Sequence, residues 1–171
     1  MADNFDKTRI NEQLKNGETS QFLTFTVMNE EFGVDIMTVR EIKGWTETTR
    51  LPNTPDFMRG VMNLRGLIIP IFDLRARFSR AQTEANSSHV VIILALEERN
   101  IGILVDSVSD ILTVPTTEIK PTPEIDSRTQ ADFISGLISL EKRMVMLLAV
   151  EKLFGTEILH ASQHPVLQQA V

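Results

Sequence analysis

The feature that most constrains this chain is an internal repeat. FGVDIMTVREI at residues 32–42 returns as IGILVDSVSDI at residues 101–111. Aligned without gaps, Gly33 meets Gly102, Val39 meets Val108, Glu41 meets Asp110 and Ile42 meets Ile111. Two more segments follow in the same order in each half. FMRGVMNL (57–64) matches FISGLISL (133–140), and GLIIPIFDL (66–74) matches RMVMLLAVEKL (143–153). Such a pattern means one structural unit built twice. Each unit spans roughly 60 residues, a size at which a lone domain is marginal, so the two are expected to pack on each other. Small units of five short strands usually close into barrels, which removes exposed edges. A joint between two such units creates a groove, and grooves at such joints are favoured binding sites.

The local patterns predict an all-β chain. In QFLTFTVM (21–28), Leu23, Phe25 and Val27 alternate with Thr24 and Thr26, the period of a half-buried strand. NEE reads as a turn and FGVDI as the returning strand of a hairpin. MTVREI reads as a short helical turn or bend, with a third strand near GWTETTRL. LIIPIF (67–72) is another strand, which Pro70 restricts to an edge or a bulge because proline donates no ladder hydrogen bond. DLRARFSR opens with an N-capping Asp and continues with good helix formers. Polar AQTEANSS (81–88) connects the halves. HVVIILAL and IGILV are then strands around an EERN turn, and Pro-rich PTTEIKPTPEIDS reads as a long loop.

Composition narrows the chemistry. The 171 residues contain no cysteine, which excludes a disulfide scaffold, a thiol nucleophile and a cysteine–zinc site. The net charge is −6, whereas a nucleic-acid binder carries a basic excess. Charge is uneven: Arg59, Arg65, Arg75, Arg77 and Arg80 face one acid, Asp73, across residues 59–80, and eight acids face Arg99 and Lys120 across residues 81–126. The bland reading is two solvated faces, and the sharper one is two complementary docking faces. The N-terminus has no apolar signal-peptide core, and the longest apolar run, VVIILAL, is far short of the ~20 residues of a spanning helix. The expectation is a cytoplasmic protein without direct membrane insertion.

No catalytic constellation stands out. His160 and His164 share the i, i+4 spacing of a helical metal pair, but Pro165 follows at once and no third ligand is near, so a polar tail is the simpler reading. Asp106 and Asp110, and Asp35 and Glu41, read as solvated loop acids ahead of an acid–base pair. There is no GxSxG elbow, no GxxxxGK[ST] loop and no tyrosine. The chain reads as a binding protein that needs no cofactor and not as an enzyme. Most apolar residues of VDIMTVREI should be core, but Val39, beside Arg40 and Glu41, is a candidate exposed apolar contact rimmed by charge.

The segments FLTFTVMNEEFGVDIMTVREI, NTPDFMRGVMNLRGLIIPIFDLRARF, IGILVDSVSDIL and FISGLISLEKRMVMLLAVEKL resemble the CheW family, the coupling proteins of bacterial chemotaxis. The resemblance runs from about residue 19 to 156, leaving a flexible segment at 1–18 and a tail at 157–171. It implies two interlocked five-stranded SH3-like barrels related by a pseudo-twofold, the first mainly 19–80 and the second mainly 88–150, with strand exchange possible between them. It implies an adaptor that links the cytoplasmic tip of chemoreceptors to the regulatory domain of the histidine kinase CheA. The adaptor would be recruited to membrane-associated receptor arrays and could form rings with the kinase domain or with its own copies. Carried over by motif, the receptor-binding positions are Ile36, Val39, Glu41, Ile42, Gly60, Arg65, Gly102, Val105 and Val108. The two glycines are small positions permitting close approach or a strained turn. The kinase-binding positions are Thr48, Arg59 and Leu67. The alternative is a paralogue serving another chemosensory pathway, such as twitching, biofilm formation or gene regulation.

Overall fold

The computed structural model describes residues 18–79, 81–123 and 133–154. His160, His164 and most of both terminal segments lie outside them.

Among the described residues, eleven strands form two sheets. They are β1 (Thr19–Val27), β2 (Glu30–Asp35), β3 (Val39–Gly44), β4 (Met58–Leu64), β5 (Leu67–Asp73), β6 (Val90–Leu96), β7 (Arg99–Val105), β8 (Ser107–Pro115), β9 (Ile119–Lys120), β10 (Ile134–Leu140) and β11 (Arg143–Leu148). Short helices α1 (Leu74–Ser79) and α2 (Val150–Phe154) follow β5 and β11. One sheet runs β8-β1-β2-β11-β10-β9 and the other β3-β6-β7-β5-β4.

The repeat explains this order. Matching β1 with β6, β2 with β7, β3 with β8, β4 with β10 and β5 with β11 turns one sheet into the other. The short β9 corresponds to an isolated bridge between Thr49 and Val61 on β4. Even the irregularities repeat. Register shifts fall between Met58 and Gly60 on β4 and between Ile134 and Gly136 on β10. Another pair falls just after Val39 on β3 and just after Val108 on β8.

Each sheet draws strands from both halves of the chain. β1 and β2 pair with β8 and, in parallel, with β11. β3–β5 share their sheet with β6 and β7, joined by a parallel β5–β7 ladder. A boundary near residues 80–88 is therefore not the boundary between the sheets.

Three layers of apolar packing result. A shared core holds Leu23, Phe25 and Val27 of β1, Phe32 and Val34 of β2, Ile92, Leu94 and Leu96 of β6, and Ile101, Ile103 and Val105 of β7. Each sheet also has its own cluster on its other face: Met62, Ile69, Ile71, Val91 and Ile93 in one, and Phe22, Val114, Ile138, Val145 and Leu147 in the other. β6 is buried on both faces, which is why VVIILAL is apolar without alternation. Burying one such Ile, Leu or Phe contributes roughly 1.5–3 kcal/mol.

Three local expectations need correction. The third strand is Val39–Gly44, preceded by a 3-10 turn at Ile36–Thr38, and is not GWTETTRL. Burial alternates along β3, but the half-buried positions after Val39 are Glu41 and Lys43 while apolar Ile42 is exposed, so the strand has no apolar alternation to read in the sequence. Pro70 lies in an interior strand. Its β7 ladder begins only at Ile71, so at Pro70 β5 is flanked by β4 alone and no donor is missed. The stretch after Pro115 is not all loop: a 3-10 turn at Thr116–Glu118 leads into β9.

Candidate partner-docking site

The site grows from two tight features on one sheet. The first is the β4–β5 hairpin. Leu64 faces Leu67, leaving a two-residue turn of Arg65 (φ 51°) and Gly66 (φ 86°). Two positive φ values match the right-handed twist of the flanking strands, and Gly66 makes the turn accessible. Asn63 Oδ1 accepts the Gly66 N–H at 2.9 Å, which fixes the turn.

The second feature is the start of β3. Asp35 caps the 3-10 turn by accepting the Met37 N–H at 2.9 Å, and its carbonyl accepts the Thr38 hydroxyl at 2.7 Å. The chain then enters β3 and presents Glu41 toward the hairpin. Arg65 clamps Glu41 with two hydrogen bonds, Nη1 to Oε2 at 2.9 Å and Nη2 to Oε1 at 3.0 Å. The Arg65 side chain stays 74% exposed. Ile42 is 46% exposed on the same strand, and Met37, at 83%, is the most exposed large apolar side chain described. Leu67 and Ile68 of β5 are exposed as well. A fork-on-fork ion pair beside exposed aliphatic side chains is a surface suited to an amphipathic partner.

The remaining sequence-derived positions separate into two groups. Ile36, Val39 and Val108 all pack, half-buried, against the shared core. They rim the joint between the sheets. Val39 is thus more enclosed than the sequence suggests, and Ile42 and Met37 carry the exposed apolar surface beside it. Val105, Gly102 and Gly60 are not surface positions. Val105 is 1% exposed within the shared core and cannot touch a partner directly. A Cβ at Gly102 would lie 2.4 Å from Ile71 Cδ1. At Gly60, φ is +132° and a Cβ would lie 2.3 Å from the Thr49 carbonyl oxygen. These glycines let strands approach closely, and Gly60 keeps the Thr49–Val61 bridge. Any part they take in docking is indirect.

The other end of β4 carries Arg59. Its carbonyl accepts the Thr48 hydroxyl at 2.8 Å, its guanidinium lies over Trp45 at 5.2 Å, and Nη1 donates to the Thr83 carbonyl at 2.9 Å. Thr48 and Arg59 therefore meet, whereas Leu67 belongs to the far end of the hairpin.

The acids read as solvated are tie points. Asp106 accepts the Met28 N–H at 3.0 Å and Arg75 Nη2 at 2.8 Å. Asp110 accepts the Thr24 hydroxyl and Arg143. The Thr24 hydrogen bond foremost holds the Asp110 carboxyl below the usual aspartate value; burial opposes it, and the charge and hydrogen bond of Arg143 add to the lowering. The Asp110–Arg143 pair stands beside exposed Ile111, as Glu41–Arg65 stands beside Ile42.

Comparison with known proteins agrees with this architecture. The CheW-like domain model matches residues 21–157. The chain belongs to the CheW-like family. Chemotaxis protein CheW of Klebsiella aerogenes is 45% identical over 143 residues, covering 82% of this chain and 86% of that protein. Chemotaxis protein CheW of Rhizobium meliloti is 41% identical over 150 residues, covering 88% and 96%. The crystal structure of the scaffolding protein TtCheW from Thermoanaerobacter tengcongensis superposes with a TM-score of 0.73 at 27% identity, covering 81% of this chain and 90% of that one. The CheW-like family is a family of chemotaxis scaffolds, and the two-sheet fold here is its fold. No helix among the described residues is long and apolar enough to cross a membrane.

Proposed function

We propose that this chain is a non-catalytic adaptor that couples chemoreceptors to the histidine kinase CheA, so that receptor state controls autophosphorylation. The observation that carries the reading is the Glu41–Arg65 clamp beside exposed Ile42, in a chain of the CheW-like family. The receptor's cytoplasmic tip docks at this clamp, against the rim formed by Ile36, Val39 and Val108. The kinase's regulatory domain docks where Thr48 and Arg59 meet, with Leu67, at the far end of the hairpin beside Arg65, a second and separate contact. Recruitment to membrane-associated arrays follows from holding both partners, without insertion of this chain.

One hairpin serves both surfaces. β4 has Arg59 near its start, and Arg65 lies just past its end. At about 3.3 Å per residue the two sit roughly 20 Å apart along a rigid ladder. A receptor that binds two states of the adaptor–kinase pair unequally shifts their populations, whereas equal binding shifts nothing.

The test is receptor-stimulated kinase autophosphorylation with cognate receptor membranes. Stimulation should require all three components. Arg65→Glu sets two carboxylates against each other and should cut stimulation at least about tenfold, with the melting temperature near wild type. Full stimulation by a stably folded Arg65→Glu protein would overturn the receptor assignment.

A further inference from the structure

The segment between the halves is held down by one buried carboxylate. Asp73 ends β5 and is fully buried. Its Oδ1 accepts the Ala76 N–H at 3.2 Å, capping α1, and the Thr83 hydroxyl at 2.7 Å. Its Oδ2 accepts the Thr83 N–H at 2.7 Å. The Thr83 carbonyl in turn accepts Arg59 Nη1, which lies 3.8 Å from the same Oδ2. Arg59 is thus held between Thr83 and the Trp45 ring. Gln82 extends the fastening by donating to the Asp56 carbonyl at 2.9 Å. The result is a cleft of about 280 Å³ lined by Trp45, Glu47, Thr48, Arg50, Arg59 and Gln82.

Capping α1 needs only one carboxylate oxygen. A buried carboxylate is costly unless every lone pair is used, and here the surplus goes to Thr83. The repeat does not demand it either: Asp73 N–H donates to the Phe57 carbonyl as Ala149 N–H donates to the Phe133 carbonyl, so the matching position of the second half is an alanine. The buried acid is therefore particular to the side of the molecule that carries Thr48 and Arg59.

We infer that Asp73 is a positioning residue for kinase docking, acting through Thr83 to preset Arg59 and the wall of this cleft. The inference rests on the proposed reading of Thr48 and Arg59 as kinase-facing. An arginine already stacked on Trp45 and tied at Nη1 has less freedom to lose on binding, which favours affinity without a new contact. Release of Thr83 returns that freedom to Arg59 and to residues 81–85.

The experiment uses full-length protein carrying Asp73→Asn, Thr83→Val, Arg59→Ala, or Thr83→Val with Arg59→Ala. Affinity is measured for the kinase regulatory domain and for a receptor cytoplasmic fragment, alongside melting temperature. Thr83→Val exchanges one hydroxyl for a methyl and so guards against loss of the fold. Asp73→Asn and Thr83→Val should each weaken kinase binding about tenfold and leave receptor binding unchanged. Thr83→Val should add nothing once Arg59 is alanine, the coupling a merely structural role would not show. Unchanged kinase affinity in folded Thr83→Val, with Arg59→Ala weakened, would overturn the positioning role alone. Unchanged affinity in Arg59→Ala would overturn the kinase-face reading and this inference with it.

Discussion

Asp110 shows how much a single side chain can tie together. It lies on β8, receives the hydroxyl of fully buried Thr24 from β1, and meets Arg143 from β11. Its backbone N–H also donates to the Thr24 oxygen at 3.2 Å. Three strands of one sheet thus converge on it. A carboxyl held below its ordinary value in the folded state adds stability that is full above the unfolded value of about 3.9 and is lost as pH falls through the lower folded value. Asp110→Asn should therefore lower the melting temperature by a steady margin above about pH 5, and that margin should close on acidification below about pH 4. Thermal melts of both proteins across this range check it, and a margin that persists at the acid end would refute the account. The sequence places Asp110 opposite Glu41 in the repeat but does not reveal its partners, because Thr24 and Arg143 lie far from it along the chain. The same limit applies to Val105. It shares the short motif with Val108, yet it ends β7 inside the shared core, while Val108 begins the next strand at its rim.

At the scale of elements, the β1–β2 and β6–β7 hairpins and helix α1 were legible because their signals are local. Alternation marks β1 and an Asp marks the start of α1. β3 and β9 were not, since one places Glu41 and Lys43 inward and Ile42 outward and the other is a two-residue strand defined by its pairing with β10. Helix α1 also does more than its length suggests. Arg75 reaches Asp106 at the β7–β8 junction. Arg77 donates to the Leu153 carbonyl of α2 at 2.8 Å and lies over Phe57 and Phe133, at 5.5 and 4.4 Å from their ring centroids. Burial lowers the Arg77 guanidinium from its ordinary value, but arginine remains protonated. One arginine therefore joins the segment before β4, the start of β10 and the end of α2. Arg77→Met keeps the apolar stem and loses the cation. A charged hydrogen bond and two ring contacts together suggest a cost of about 2 kcal/mol. For a chain of this size that corresponds to a fall of roughly 4–8 °C in melting temperature. Calorimetry decides it, and a change within about 1 °C would show that these contacts are replaced by others.

The whole molecule is defined by exchange between its halves. The repeat announces two units, but a repeat cannot say which copy of a strand pairs with which, because both copies have the same pattern. Here the answer is crossed: the β1–β2 hairpin joins β8 and β11, and β6–β7 join β3 and β5. Neither half contains a complete sheet. A fragment of residues 18–86 would leave β1 and β2 without their outer neighbours, and β3 without β6. It would also expose the shared core, to which both halves contribute. At roughly 60–70 residues such a fragment has little surplus stability with which to form new pairings. Each half alone should therefore lack a cooperative thermal transition and dispersed amide signals. Mixing the two halves, 18–86 with 87–154, should restore both, because the parallel β2–β11 and β5–β7 ladders and the shared core can form only in the complex. On the proposed reading, receptor and kinase binding should return with the fold, since the sheet that carries Arg65 and Arg59 is rebuilt in the complex. A first half that melted cooperatively by itself would mean that its strands can close on one another, and the exchange would then be a convenience of the intact chain and not the condition of its folding.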